Sequence, residues 1–156
     1  MKVDTLHEVP YLGGVSKDGQ TVYIDCRFPA QYKQKDGKIV EPHKYLVFHE
    51  FAEFLLMSQG EHYNQAHRRA AQLEKEFLSE DGINIKEYYE HIYKYVQAAM
   101  NNIDASKIPV DLDMRPYLED GLSHTLKAMG HPHRVKHPHS ATVSFLEEEK
   151  RKDIEL

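Results

Sequence analysis

The chain has 156 residues, 40% hydrophobic and 29% charged, which fits one folded domain with its own core and excludes disordered or fibrous classes. Its 20 basic and 25 acidic residues leave a formal charge of −5, which argues against a general nucleic-acid binder. No apolar run approaches the roughly 20 residues that cross a bilayer. The first ten residues lack an apolar leader segment, and the single cysteine, Cys26, permits no internal disulfide and fits a reducing compartment, so a cytoplasmic location is expected.

Residues 11–29 read as a β-hairpin turning at Ser16, Lys17, Asp18 and Gly19, because Asp-Gly favours the left-handed backbone of tight turns. In its second arm Val22, Ile24 and Cys26 alternate with Thr21, Tyr23 and Asp25, so one face can pack. Cys26 is expected as a buried thiol and Asp25 as a turn or capping group, while His7 and Glu8 are expected at the surface. Residues 31–41 are polar and contain Asp36-Gly37, a loop or second short hairpin.

Pro42 suits the first turn of a helix that ends near Ser58-Gln59-Gly60. Ten of residues 44–57 are apolar; the exceptions are Lys44, His49, Glu50 and Glu53. At about 100° per residue, Glu53 lies near 40° and Glu50 near 100° from His49. Three ionisable groups thus share one sector of a helix that is apolar elsewhere, which predicts the most buried helix of the fold. Buried carboxylates without a partner cost several kcal/mol each. A divalent cation satisfies two carboxylates and an imidazole at once; the plainer alternative is a polar stripe facing water.

A second helix is expected over residues 61–78, with Ala66, Ala70, Ala71 and Leu73 on its packed side. His67 and Glu74 are two turns apart and share a face with Ala70 and Ala71, where small side chains admit a close neighbour. That face can complete a shell begun by His49 and Glu53. Asn84 and Glu87 resemble a capping box opening a third helix to about Met100, with Ile85, Tyr88 or Tyr89, Ile92, Val96 and Ala99 as its core stripe. Residues 108–117 suggest an ordered extended segment and residues 118–129 a short helix. The repeat His131-Pro132-His133 and His137-Pro138-His139 and the charged stretch 145–156 read as an extension. The expected organisation is one α+β domain over residues 1–130, with a small antiparallel hairpin or sheet before three main helices, followed by a His-rich and charged C-terminal extension over residues 131–156.

The order of strand, loop, apolar helix with His49-Glu50, and second helix with further ligand-type residues resembles the small zincin-like metalloproteases, especially the compact intracellular group of phages and mobile elements. Residues 20–78 carry the resemblance. They also resemble uncharacterised bacterial and phage proteins with an H-E-x-x-E helix, which suggests a phage-related origin. The zincin likeness implies a zincin-like core in which His49 ligates zinc, Glu53 stands where the family has its second histidine, and Glu50 is the general base. The family's third ligand maps to His67 or Glu74. The set His49, Glu53 and His67, with Glu74 as fourth ligand or outer support, implies a zinc-dependent, peptidase-like hydrolase; iron suits the same ligand types. A peptide or protein is the implied substrate, and the arm over residues 21–26 would pair with it as an edge strand. The alternative is a non-catalytic accessory or binding protein that keeps the fold.

Overall fold

The computed structural model describes residues 1–120, the side chains up to Tyr117. It is an α+β arrangement in the order β1 (Lys2–Asp4), β2 (Gly13–Val15), β3 (Thr21–Ile24), β4 (Tyr32–Lys33), β5 (Ile39–Val40), α1 (Pro42–Ser58), α2 (Tyr63–Glu80), α3 (Ile85–Asn101) and α4 (Arg115–Asp120). The expected hairpin is β2–β3, antiparallel with Val15 opposite Val22 and Gly13 opposite Ile24. Its turn closes through a Gly19 N–H bond to the Ser16 carbonyl, with Gly19 at φ 72°, a conformation that costs glycine little. Asp36-Gly37 turns the second hairpin, β4–β5.

Four details differ from expectation. The sheet is mixed, because β1 pairs parallel to β3 and makes β3 the central strand of three. The strand expected to offer a free edge therefore has neighbours on both sides. Cys26 is exposed, lying just past the end of β3. Glu8 is buried, accepting the Asp104 N–H at 2.7 Å with the cations of Arg27 and Lys107 nearby. Asp25 is the capping group that was expected, and it is fully buried. Burial alone would raise its pKa, but the Arg27 guanidinium and the N–H groups of Val9 and Arg27 bond its carboxylate and hold the pKa below the ordinary value.

α1 begins at Pro42, where a missing N–H costs nothing, and stops before Gly60, whose φ of 96° continues no helix. Its polar sector turns inward, but α1 is not the most buried helix that was expected: six of its 17 residues are buried, against seven of 18 in α2. Phe48 and Leu55 are 37% and 43% exposed, whereas His49 and Glu53 are buried. The helix also packs Tyr45, Leu46 and Met57 inward, the first two within a core that includes Val22, Ile24, Leu78, Tyr88, Ile92 and Val96. α2 runs alongside α1 with Ala66, His67, Ala70, Ala71 and Glu74 buried; Leu73, expected on that face, is 40% exposed. Asn84 caps α3 by accepting the Glu87 N–H at 3.1 Å, and both Tyr88 and Tyr89 join its buried stripe.

The segment from Asp111 to Tyr117 crosses the outer edge of β2. Leu112 bridges Ser16 in antiparallel fashion, the Lys17 N–H donates to the Asp111 carbonyl at 2.8 Å, and the Asp113 N–H donates to the Val15 carbonyl at 2.8 Å. α4 begins at Arg115, three residues before the expected short helix and inside the segment expected to be extended. The His-rich repeat and the charged C-terminal stretch lie outside the described residues.

Candidate metal centre

Two consecutive helices build the site. His49 and Glu53 stand one turn apart on α1 and project onto α2, where Ala70 and Ala71 leave room for the approach. His67 comes to meet them from α2. The ligand-type atoms form a triangle: His49 Nε2 is 3.2 Å from His67 Nδ1 and 3.5 Å from Glu53 Oε2, and His67 Nδ1 is 2.7 Å from Glu53 Oε2. A tetrahedral zinc ion with ligands at about 2.0–2.1 Å spaces them about 3.3 Å apart. Two edges match that spacing, and the third is a hydrogen bond that a cation would replace. The three residues are buried and can hold a metal ion.

Glu74 stands behind this triangle rather than in it. Its Oε2 lies 2.6 Å from His49 Nδ1. With Nδ1–H donating to Glu74, His49 Nε2 is left as a lone-pair donor aimed at the triangle, the arrangement that orients metal-binding histidines. Tyr88 is buried near Glu74. Burial, reinforced by that carboxylate, keeps its phenol well above the ordinary tyrosine pKa and hence neutral.

Glu50 looks from α1 into a cavity of about 60 Å³ that the three triangle residues also line. Its pKa is raised to about 8, first because protein surrounds it and then because Glu53 and Glu74 repel its charge, with His49 opposing. Glu53 responds in the opposite direction. Burial works against its charge, but hydrogen bonds from His49 and His67 outweigh this and lower its pKa to about 2. For His49, burial disfavours the imidazolium, yet Glu74, Glu53 and Glu50 hold its pKa well above the usual value.

These shifts predict the pH profile of the chelator-treated protein. Glu50 and His49 bind protons more tightly folded than unfolded, so their contribution to stability is present at low pH and lost as pH rises through their folded pKa values. Glu53 binds its proton less tightly folded, so its contribution is lost as pH falls from the ordinary glutamate value of 4.5 toward about 2. The thermal midpoint is expected to peak near pH 5 and fall toward pH 8. Glu50→Gln, with no proton to lose, flattens the alkaline fall; an unchanged slope in that variant would contradict the assignment.

Sequence reasoning missed the far wall. Gly13 passes so close to Glu50 that a Cβ there would sit 2.6 Å from Glu50 Oε1. Gly13→Ala is expected to cost about 1–3 kcal/mol through overpacking, read as a lowered denaturant midpoint at unchanged slope. The Gly13-Gly14 pair was the available signal. Tyr117 had none: its hydroxyl donates to the Gly13 carbonyl at 2.9 Å across 104 residues, and its ring stacks on Tyr11 with centroids 6.2 Å apart. Tyr63, tilted against His67 at 5.5 Å, was likewise not singled out.

Tyr11 and Leu12 hold φ of 55° and 74°, left-handed values that cost a side-chain-bearing residue roughly 1–2 kcal/mol each. Leu12 is fixed by bonds to Val9 and Asp25, and the pair carries the Tyr11 ring to the cavity. Comparison with known proteins adds no relative, since no family model, curated protein or solved structure matches this chain.

Proposed function

We propose that this protein is a metal-dependent hydrolase, with zinc held by His49, Glu53 and His67, Glu74 orienting His49, and Glu50 as general base. The observation that carries this reading is the meeting of the three ligand-type side chains beside a cavity that Glu50 also faces. A cation bound there supplies Lewis acidity, bringing the pKa of water at the site toward about 7 and polarising a carbonyl oxygen. Glu50, beside the residues that would hold the cation, would then be ionised and able to accept a proton.

Glu50 takes one proton from the attacking water as its oxygen bonds to the carbonyl carbon. It returns that proton to the leaving nitrogen or oxygen as the carbonyl bond to that atom breaks. Water is consumed, one acid and one amine or alcohol are released, and no oxidant or reductant is needed. The order of elements and the H-E-x-x-E helix are the grounds for a zincin-like relationship, with a carboxylate where that pattern has its second histidine.

A second reading keeps the fold without catalysis. The contacts at 2.6 Å between His49 and Glu74 and at 2.7 Å between His67 and Glu53 pair both imidazoles with carboxylates inside the protein. An accessory protein can use that network as structure alone. Elemental analysis of the purified chain, with thermal midpoints before and after chelation, separates the two. The hydrolase reading expects about one zinc per chain and a midpoint that falls on chelation and recovers with zinc. No metal and no chelator response would leave the accessory reading.

A further inference from the structure

We infer that this site acts on a short acyl compound, a small amide or ester with an apolar acyl group, rather than on an extended polypeptide. The inference rests on the hydrolase reading above and concerns what fits beside its catalytic groups.

Size comes first. At about 60 Å³ the cavity is smaller than the roughly 150 Å³ that admits a benzene ring. That suits a few heavy atoms and not the consecutive side chains of a peptide. Its walls beside the polar groups are apolar, including Leu46, Phe54, Met57, Ile92 and Val96. An apolar acyl group buried there is favoured by leaving water, whereas a peptide group entering without a partner loses its hydration.

The backbone argues the same way. Enzymes that grip extended peptides commonly add the substrate as a strand to a sheet edge, using main-chain hydrogen bonds. Here β3 is central, and the edge nearest the cavity, β2, is already engaged. Its Val15 carbonyl takes the Asp113 N–H and its Gly13 carbonyl takes the Tyr117 hydroxyl, while Lys17 just beyond bonds Asp111. The first two contacts engage the outward-facing carbonyls of β2, and the third engages the Lys17 N–H, all groups that a substrate backbone would need. The stacked Tyr11 and Tyr117 rings stand at the same side of the cavity.

The test uses the full chain, loaded with zinc and assayed for metal content before each titration. Two probes that bind zinc through the same headgroup are compared by calorimetry: isobutyrohydroxamic acid and a hexapeptide ending in a hydroxamate. The short probe is expected to bind at least about tenfold more tightly. Tyr117→Ala, which removes the ring and the bond to Gly13, is expected to narrow that ratio by strengthening peptide binding. Equal or tighter binding of the peptide by the wild type would overturn the substrate class and leave the hydrolase reading standing, as would failure of both probes on metal-loaded protein. A chain that takes up no zinc would overturn the hydrolase reading and the substrate class with it.

Discussion

Zinc added to chelator-treated protein is expected to raise its thermal midpoint by roughly 8 °C at a concentration about 100 times the dissociation constant, and His67→Ala is expected to abolish the rise. A ligand bound only by the native state adds about 2.7 kcal/mol at that excess. For a chain of this size, each kcal/mol moves the midpoint by about 2–4 °C. His67 provides the triangle's sole contribution from α2, so its removal leaves two donors from one helix. His49→Ala and Glu53→Ala are expected to remove the metal as well, with additional losses in the metal-free state. His49→Ala removes the 2.6 Å partner of Glu74, and Glu53→Ala the 2.7 Å partner of His67, each in a buried position. Glu74→Gln keeps a hydrogen-bonding partner behind His49 and is expected to weaken the metal by about 10–100-fold without abolishing it. Measured zinc content and midpoint for the four variants check the set. A zinc-induced shift that survives in His67→Ala would remove His67 from the site.

Glu50→Gln is expected to retain zinc at one per chain while lowering hydrolysis by about 10²–10⁴-fold. The amide fills the same space but accepts no proton from water. The substitution also relieves a repulsive cluster, because Glu50 is raised to about 8 partly by Glu53 and Glu74. The variant is therefore expected to be at least as stable as the wild type when both are metal-free above pH 7. Loss of activity with unchanged metal and unimpaired folding is the pattern of a group that handles protons. Loss of the metal together with activity would reassign Glu50 as a ligand.

The helices were legible because their signals are local. Pro42, Gly60, and Asn84 with Glu87 mark ends that depend on the residues beside them. The cluster of His49, Glu53, His67 and Glu74 was legible for the same reason, since helical spacing alone gathers each pair on one face. What periodicity could not supply was the direction in which α1 faces. With apolar residues on nearly every side, the inward face is chosen by its neighbour, and α2 presents His67 and Glu74. The polar sector therefore turns in and Phe48 and Leu55 turn out.

Residues 2–4 were missed because three residues of mixed polarity carry no strand pattern, and their parallel pairing with β3 comes from chain folding beyond the hairpin. The Tyr117 contact was missed because no local rule joins a tyrosine to a glycine carbonyl at the other end of the domain.

The two sides of the cavity differ in how far the chain must travel to make them. His49 and His67 are 18 residues apart on helices joined by one short connection, whereas the Tyr117–Gly13 bond spans 104 residues. Closing the short loop carries the smaller entropic cost and favours earlier formation. During folding, the helical pair can gather its donor atoms while the sheet-side wall is still open, giving a cation entry before the aromatic rings come together. If zinc binds as proposed, its presence during refolding is expected to accelerate folding where the pair is formed in the transition state, and otherwise to act by slowing unfolding.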